Sequence, residues 1–326
     1  MLFRSMSKSL GTGVDPLDVV AEHGADALRF GLLIMASGQD VRWSTDRVQQ
    51  GRQLVTKLWN ATRLVVERGG RAAAPPAPER LADRWICSRV RQEIERADVL
   101  AAGFEMSALA DLVYHVIFDD YCDWYLELLK AGQADPAVAG AVLEALLALA
   151  HPLMPFVSEE CWARLPGAEG LMLTHAPPRA PGPRDEEAEW RLADVREDVR
   201  RCRAERSERG LAPRSRLRVR LPDARDEEQA AAVAAQAGPL SLDEPTAGVT
   251  VEVSAEVDPA AEASRLRQEL ERAERELERA RGRLADGRFV DRAPADLVEA
   301  EREKERRWSG EVEVLAGRLG ELESRA

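Results

Sequence analysis

The sequence predicts a mainly α protein, and three observations predict it. Apolar residues recur at three- and four-residue spacing through most of residues 45–165, as on one face of an α-helix. Two heptad tracts flank a breaker containing glycine and proline near the C-terminus. Only two short stretches, 217–221 and 249–253, alternate with the two-residue period of a strand. The chain has 326 residues, enough for about two domains. With 45% hydrophobic and 32% charged residues it can bury a core rather than stay disordered.

A polar, glycine-rich stretch, Ser5 to Gly13, leads to a helix starting at Asp15, with Pro16 in its first turn. A second helix runs from about Asp26 to Met35. Forty-four residues of this kind are too few for an independent core, so they pack on the next domain or on one absent from this chain. Val48, Leu54, Val55, Leu58 and Trp59 begin the next apolar face. A Pro-Ala loop separates it from a helix carrying Leu81, Trp85, Ile86, Val90 and Ile94. A third runs from Leu109 to Leu129, a fourth from Val138 to Ala150, and a short fifth from Phe156 to Leu165. Long helices with short loops predict a bundle.

Residues 166–184 are rich in proline and glycine and read as a linker. A charged helix from Asp185 to Glu208, a strand at 217–221, a helix from Glu227 to Ala237 and a strand at 249–253 make a small α/β element over 185–257. In the last segment, 258–326, Leu266, Leu270, Ala273, Leu277, Ala280 and Leu284 keep a 4-3-4-3-4 spacing. Trp308, Val312, Leu315, Leu319 and Leu322 continue the pattern beyond a breaker at 287–294. Helix, turn and returning helix would join both seams as an antiparallel coiled-coil hairpin. Glu301 and Lys304 fall on its seam near the turn, which predicts a weaker tip.

Charge and cysteine usage narrow the function. The net charge of −12 argues against a surface coated for nucleic acid but leaves room for a local basic track. No apolar run reaches the ~18 residues that span a bilayer, and the N-terminus lacks the pattern of a secretory signal. Cys87, Cys122, Cys161 and Cys202 have neither disulfide-framework nor metal-ligand spacing. The expectation is a cytoplasmic, monomeric protein with no membrane partner and no metal of its own. Only four of the 46 basic residues are Lys: Lys8, Lys57, Lys130 and Lys304. A chain that otherwise uses Arg has a chemical reason more often where it uses the compact, mobile ammonium.

Met6-Ser7-Lys8-Ser9 lies in the glycine-rich loop, and one ammonium with two hydroxyls suits closure over a triphosphate. The run Ser5 to Leu17 resembles the second ATP-binding signature of class I aminoacyl-tRNA synthetases, usually Lys-Met-Ser-Lys-Ser. His23 to Phe30 comes next, as in the valine, isoleucine and leucine enzymes. Ala36 to Ser44 and Lys57 to Arg63 look like the valyl subgroup. Asp83-Arg84-Trp85-Ile86, Tyr121 to Lys130 and His151 to Glu160 resemble its helical anticodon-binding domain. Arg288 to Pro294, within a coiled-coil hairpin, is similar to its C-terminal arm. The first Lys of the signature is Ser5 here, with Arg4 before it.

The resemblance implies valine–tRNA ligation with ATP as substrate, Mg²⁺ accompanying the ATP, and tRNA(Val) as partner. It implies that Ser5, Met6, Ser7, Lys8 and Ser9 bind ATP, with Lys8 the catalytic member. It implies the end of a catalytic domain at 1–44, an anticodon-binding bundle at 45–165 and a tRNA-binding arm at 258–326. The family's His-Ile-Gly-His signature, amino-acid pocket and editing domain would lie upstream, so the expectation is a C-terminal fragment inactive alone, needing its N-terminal half. Asn60 and Arg63, and Arg272, Arg275, Arg279, Arg283 and Arg288 on the first limb of the hairpin, are the candidate tRNA contacts. That limb, 265–292, has nine Arg against seven acidic residues, whereas the whole hairpin is near neutral. Trp85 and Trp124 read as core rather than base-stacking residues. Asp119, Asp120, Asp123 and Glu127 read as a solvated acidic face beside Lys130. The alternatives are a non-catalytic tRNA-binding module acting in trans, the isoleucyl or leucyl relative, and a purely structural coiled coil, which leaves 1–165 unexplained.

Overall fold

The computed structural model describes residues 13–35, 43–72, 77–172, 178–208, 211, 216–222, 225–238, 240–242, 252–256, 259–285 and 295–325. These form two compact units. The first takes in the described parts of 1–204 and 220–238, the second those of 205–219, 239–243 and 252–326.

The first unit is helical. α1 (Pro16–His23) starts where the Asp15 side chain accepts a hydrogen bond from the Leu17 N–H at 2.8 Å, with Pro16 preset for the first turn. It ends at Gly24, whose φ of 90° turns the chain into α2 (Ala25–Leu33). The N-terminal segment has no core of its own. Val19, Ala27 and Leu28 pack with Val48 of α3 (Thr45–Glu67), flanked by Val20 and Trp43. α2 and α3 cross closely because Gly51 has no side chain: a Cβ there would lie 2.7 Å from the Ala27 carbonyl oxygen.

Two carboxylates act as ties, Asp26 between this segment and the bundle and Asp83 within the bundle. Asp26, nearly buried, accepts the backbone N–H groups of Phe156 (3.3 Å) and Val157 (2.6 Å), capping the start of α8 (Pro155–Trp162). Asp83, on α4 (Leu81–Ala102), accepts the Tyr125 hydroxyl at 2.7 Å and the Asp135 N–H at 3.1 Å. Burial pushes the Asp83 carboxyl up to about 6.

The expected third helix is one long element in three parts. α5 (Met106–His115) passes into a π-helical stretch (Val116–Tyr125) and then α6 (Leu126–Lys130). Tyr121 and Tyr125 are buried, and their rings stack 5.7 Å apart. α7 (Pro136–Ala150), capped by Asp135, is apolar nearly all round and sits in the core. α9 (Glu186–Glu208) and α10 (Glu227–Ala237) bracket a short strand. α10 carries a capping box of Asp226 and Gln229. The four cysteines are buried and in no disulfide, and burial pushes the Cys87 and Cys122 thiols up to about 12.

The second unit holds a three-stranded sheet in the order β2-β1-β3 and a helical hairpin. β1 (Arg216–Arg220) and β3 (Glu252–Glu256) correspond to the two alternating stretches, although 249–251 lie outside the described residues. β2 (Leu240–Leu242) has no counterpart in the sequence reading. It pairs parallel with β1, Leu217 opposite Leu240 and Val219 opposite Leu242. α11 (Pro259–Ala285) and α12 (Ala295–Arg325) are antiparallel: Leu266, Leu270 and Ala273 pack with Trp308, Val312, Leu315 and Leu319. Glu301 does lie on the seam and is buried. Lys304 does not: its side chain is mostly exposed and reaches Glu301 at 3.2 Å. The heptad explains the difference. Stepping back from Trp308 by three and then four positions reaches Glu305, half-buried, and Glu301, so Lys304 falls one position off the seam.

Candidate nucleic-acid interface

The loop residues Ser5, Met6, Ser7, Lys8 and Ser9 lie outside the described residues, as does Arg288. The remaining candidates fall on two surfaces, one in each unit.

Asn60 and Arg63 stand on the outer face of α3, both exposed. Asn60 lines a cleft of about 580 Å³ with Glu22, His23, Gln49, Arg52, Gln53, Thr56, Lys57 and Phe118. Arg63 does not; its guanidinium lies 3.6 Å from Glu67, one turn on. In the cleft wall, Gln49, Gln53, Thr56 and Asn60 recur every three or four residues, which stacks them along one face of the helix. His23 Nδ1 is buried with no hydrogen-bond partner among the described residues. Arg52 donates to the Glu22 carbonyl at 3.4 Å. The Lys57 ammonium pairs with Asp123 and sits 4.0 Å above the Phe118 ring. The cleft thus offers amides, a hydroxyl, two cations and an aromatic face, a set suited to phosphate, ribose and base edges. Of the candidates from the sequence Asn60 lines this cleft, and Arg52, His23 and Phe118 were not among them. Lys57 carried a usable signal, being one of four lysines in an arginine-rich chain.

The aromatic and acidic residues of the bundle are arranged differently from a solvated face. Trp85 is buried and Trp124 half-buried, and the Arg196 guanidinium lies 4.8 Å and 4.9 Å from their rings. Asp120 is buried, bonded to Arg196 at 2.6 Å and Arg89 at 3.1 Å. Asp120 therefore departs from the expected solvated acidic face: paired charges are tolerated inside where two guanidinium groups satisfy one carboxylate. Asp119 and Asp123 are exposed and Glu127 is half-buried, each with a cationic or imidazole partner: His115 at 2.5 Å, Lys57, and Lys130 at 2.6 Å. The bond to Asp119 raises the His115 pKa. Trp59 is half-buried under Arg164, 4.5 Å from its ring. Among the described residues no group of three or more His, Cys, Asp or Glu could hold a metal ion, and no helix is long and apolar enough to cross a membrane.

On the hairpin, Arg272, Arg275, Arg279 and Arg283 are all exposed on α11. Arg275 pairs with Glu271 at 3.1 Å and Arg279 with Glu276 at 2.7 Å on the same helix. Arg283 reaches across to Glu301 at 3.6 Å, and Arg281 to Glu305 at 3.1 Å. The limb is a row of guanidinium groups with carboxylates interleaved.

Comparison with known proteins gives three family matches in chain order. Residues 3–44 match the tRNA synthetases class I (I, L, M and V). Residues 83–221 match the anticodon-binding domain of tRNA ligase. Residues 258–323 match the valyl tRNA synthetase tRNA binding arm. The valine–tRNA ligase of Mycobacterium tuberculosis is 36% identical over 98% of this chain. That of Carboxydothermus hydrogenoformans is likewise 36% identical over 98%, and that of Nocardia farcinica 34% over 99%. The chain spans about two fifths of the length of these relatives, 39% of the first. The three matches and the helical fold place the chain in the class I aminoacyl-tRNA synthetase family. Within it, the chain corresponds to the C-terminal region of valyl-tRNA synthetases, the group to which the arm and the relatives both point.

Proposed function

We propose that this chain supplies the tRNA-gripping part of a valine–tRNA ligase acting on tRNA(Val), together with catalytic and editing regions that precede it in such enzymes. The observation that supports this best is the order of the three matches: class I segment, anticodon-binding domain, valyl-type arm. In this reading 1–44 closes the catalytic domain, 45–165 reads the anticodon region, 166–184 is a linker, 185–257 a small α/β element and 258–326 the arm. The bundle supports α3 and its cleft as one contact surface, with Asn60 and Arg63. The arm offers Arg272, Arg275, Arg279, Arg283 and Arg288 to the phosphate backbone.

Lys8 would neutralise charge on ATP as pyrophosphate leaves, with Mg²⁺ brought by the nucleotide and Ser5, Met6, Ser7 and Ser9 completing the loop. The residue chemistry agrees: one ammonium and three hydroxyls suit the phosphates of ATP. With the preceding regions joined, Lys8→Ala should lower valine-dependent ATP–pyrophosphate exchange at least ~100-fold, the loss typical of removing one preorganised charge. Affinity for tRNA should stay within about twofold. Equal exchange rates in variant and parent would defeat the role of Lys8. Exchange with isoleucine or leucine instead of valine would redirect the specificity.

A further inference from the structure

We infer that Asp26 and Arg29 are positioning residues: they clamp the class I segment to the anticodon-binding bundle at one turn, and so set where a tRNA gripped by the bundle presents its acceptor end. The inference rests on the proposed reading that this chain serves a tRNA ligase.

α2 meets the bundle in two ways. Along α3 the contact is apolar and close, with Ala27, Leu28 and Val48 in one cluster and Gly51 against the Ala27 carbonyl. Such packing resists separation but is non-directional. The second contact is polar and falls on the turn between α7 and α8. Asp26 and Arg29 are three residues apart on α2, so they share a face. Asp26 accepts the Phe156 and Val157 N–H groups at the start of α8. Arg29 donates from Nε to the Leu153 carbonyl at 3.3 Å and from Nη2 to the Pro152 carbonyl at 3.0 Å. A carboxylate thus holds the N-terminal end of α8, and a guanidinium holds carbonyls just beyond the C-terminal end of α7. Each charge suits the helix pole it lies near.

These four bonds join residues 123 to 131 positions apart in the chain. The turn they grip is braced across itself, with His151 Nδ1 and Ser158 Oγ 2.8 Å apart. Just past the far end of α2, the Ser107 hydroxyl donates to the Ile34 carbonyl at 2.8 Å. Hydrogen bonds carry the direction that apolar packing lacks, so α2 is fixed against rotation and sliding as well as separation. α2 lies in the stretch matched to class I synthetases, and the turn lies in the stretch matched to the anticodon-binding domain. The clamp is therefore a joint between the two. Valine-dependent ATP–pyrophosphate exchange is chemistry of the class I side. Transfer of the valyl group from the adenylate to a tRNA hydroxyl, with AMP leaving, needs that side and the bundle in register. A displacement of ~1 Å caused far from the chemistry can cost up to ~100-fold in such a step.

The test uses the enzyme with its preceding regions joined. Arg29→Gln, at an exposed position, should lower kcat/KM for valylation of tRNA(Val) about tenfold and leave ATP–pyrophosphate exchange within about twofold. Asp26→Asn keeps the shape but leaves one N–H of α8 without its acceptor, and should split the two steps in the same way. Should Asp26→Asn fail to fold, Arg29→Gln decides by itself. Arg29→Lys keeps a cationic donor at the two carbonyls and should recover most of the loss. In the 326-residue chain alone, Arg29→Gln should bind a tRNA(Val) transcript within about twofold of the parent, because the gripping surfaces are untouched. A merely structural role predicts a lower melting temperature with exchange and valylation falling together. Equal losses in both steps, unchanged valylation, or a loss of tRNA binding as large as the loss of valylation overturns the inference while leaving the ligase reading intact. A joined parent that does not charge tRNA(Val) overturns the ligase reading itself, and the inference with it.

Discussion

Glycine plays opposite parts in the bundle and in the arm. In the bundle, Gly51 and Gly140 sit where another backbone passes. A Cβ on Gly140 would run into the backbone of Arg71, and one on Gly51 into the carbonyl of Ala27. In the arm, Gly310 and Gly317 lie in the middle of α12 with nothing within 4 Å of where a Cβ would be. The same residue is therefore a packing requirement in one unit and a soft point in the other. The bundle is specified by particular close contacts, the arm by a repeating pattern that tolerates local change.

The largest expected effect tests the first half of this contrast. Gly140→Ala should lower the stability of the bundle by about 1–3 kcal/mol, the usual cost of forcing an extra methyl into a close contact. A calorimetric melt with no fall in transition temperature would show that the neighbouring chain yields, and the contrast would weaken.

A second test uses charge. Burial holds the Asp83 carboxyl at about 6, above its ordinary 3.8, so the folded state keeps its proton more tightly than the unfolded one. Its contribution to stability is then greatest at low pH and is lost as pH rises through about 6. Relative to Asp83→Asn, the parent should gain about 1 kcal/mol between pH 7 and pH 5 in urea melts. In the arm the sign reverses: Arg306 at 2.9 Å holds the Glu299 carboxyl below its usual range. That pair is fully exposed and salt should screen it. A flat difference between parent and Asp83→Asn would mean that Asp83 is hydrated rather than buried.

The smallest effect tests the arm. Gly310→Ala and Gly317→Ala should each stabilise α12 by about 0.5–1 kcal/mol, since Ala removes the entropy cost of Gly and meets no neighbour. Slower amide exchange along α12 would register it. A loss of protection would place an unseen contact at those positions.

Much of the fold was legible in the sequence. Pro16 behind Asp15 marks the start of α1, because caps and proline act locally, and α7, expected from Val138, begins two residues earlier at Pro136. The hairpin was legible because a heptad needs only its own spacing. Three features were not. β2 is three residues long and exists only because β1 lies beside it. The π-helical stretch has an ordinary helical pattern, and its wider turn leaves no mark in the apolar spacing. Asp120 reads as one of a row of exposed acids, and only the approach of Arg89 and Arg196 from other helices makes it an interior residue.

The candidate interface divides the same way. Asn60 and Arg63 were singled out from a motif and Lys57 was noted as one of four lysines, whereas the cleft itself is a product of assembly. Glu22 and His23 come from α1, Phe118 from the π-helical stretch, and neither is near α3 in the chain.

The sequence by itself determined which segments are helical, where they are capped, that the C-terminal segment folds back on itself, and to which family the chain belongs. These depend on residues within a few turns of one another. Only the tertiary structure decided which charges are buried, which are engaged by a neighbour, and which face a cleft. A side chain's dielectric surroundings and its counter-ions come from chains that pass nearby in space, and a linear order does not record them.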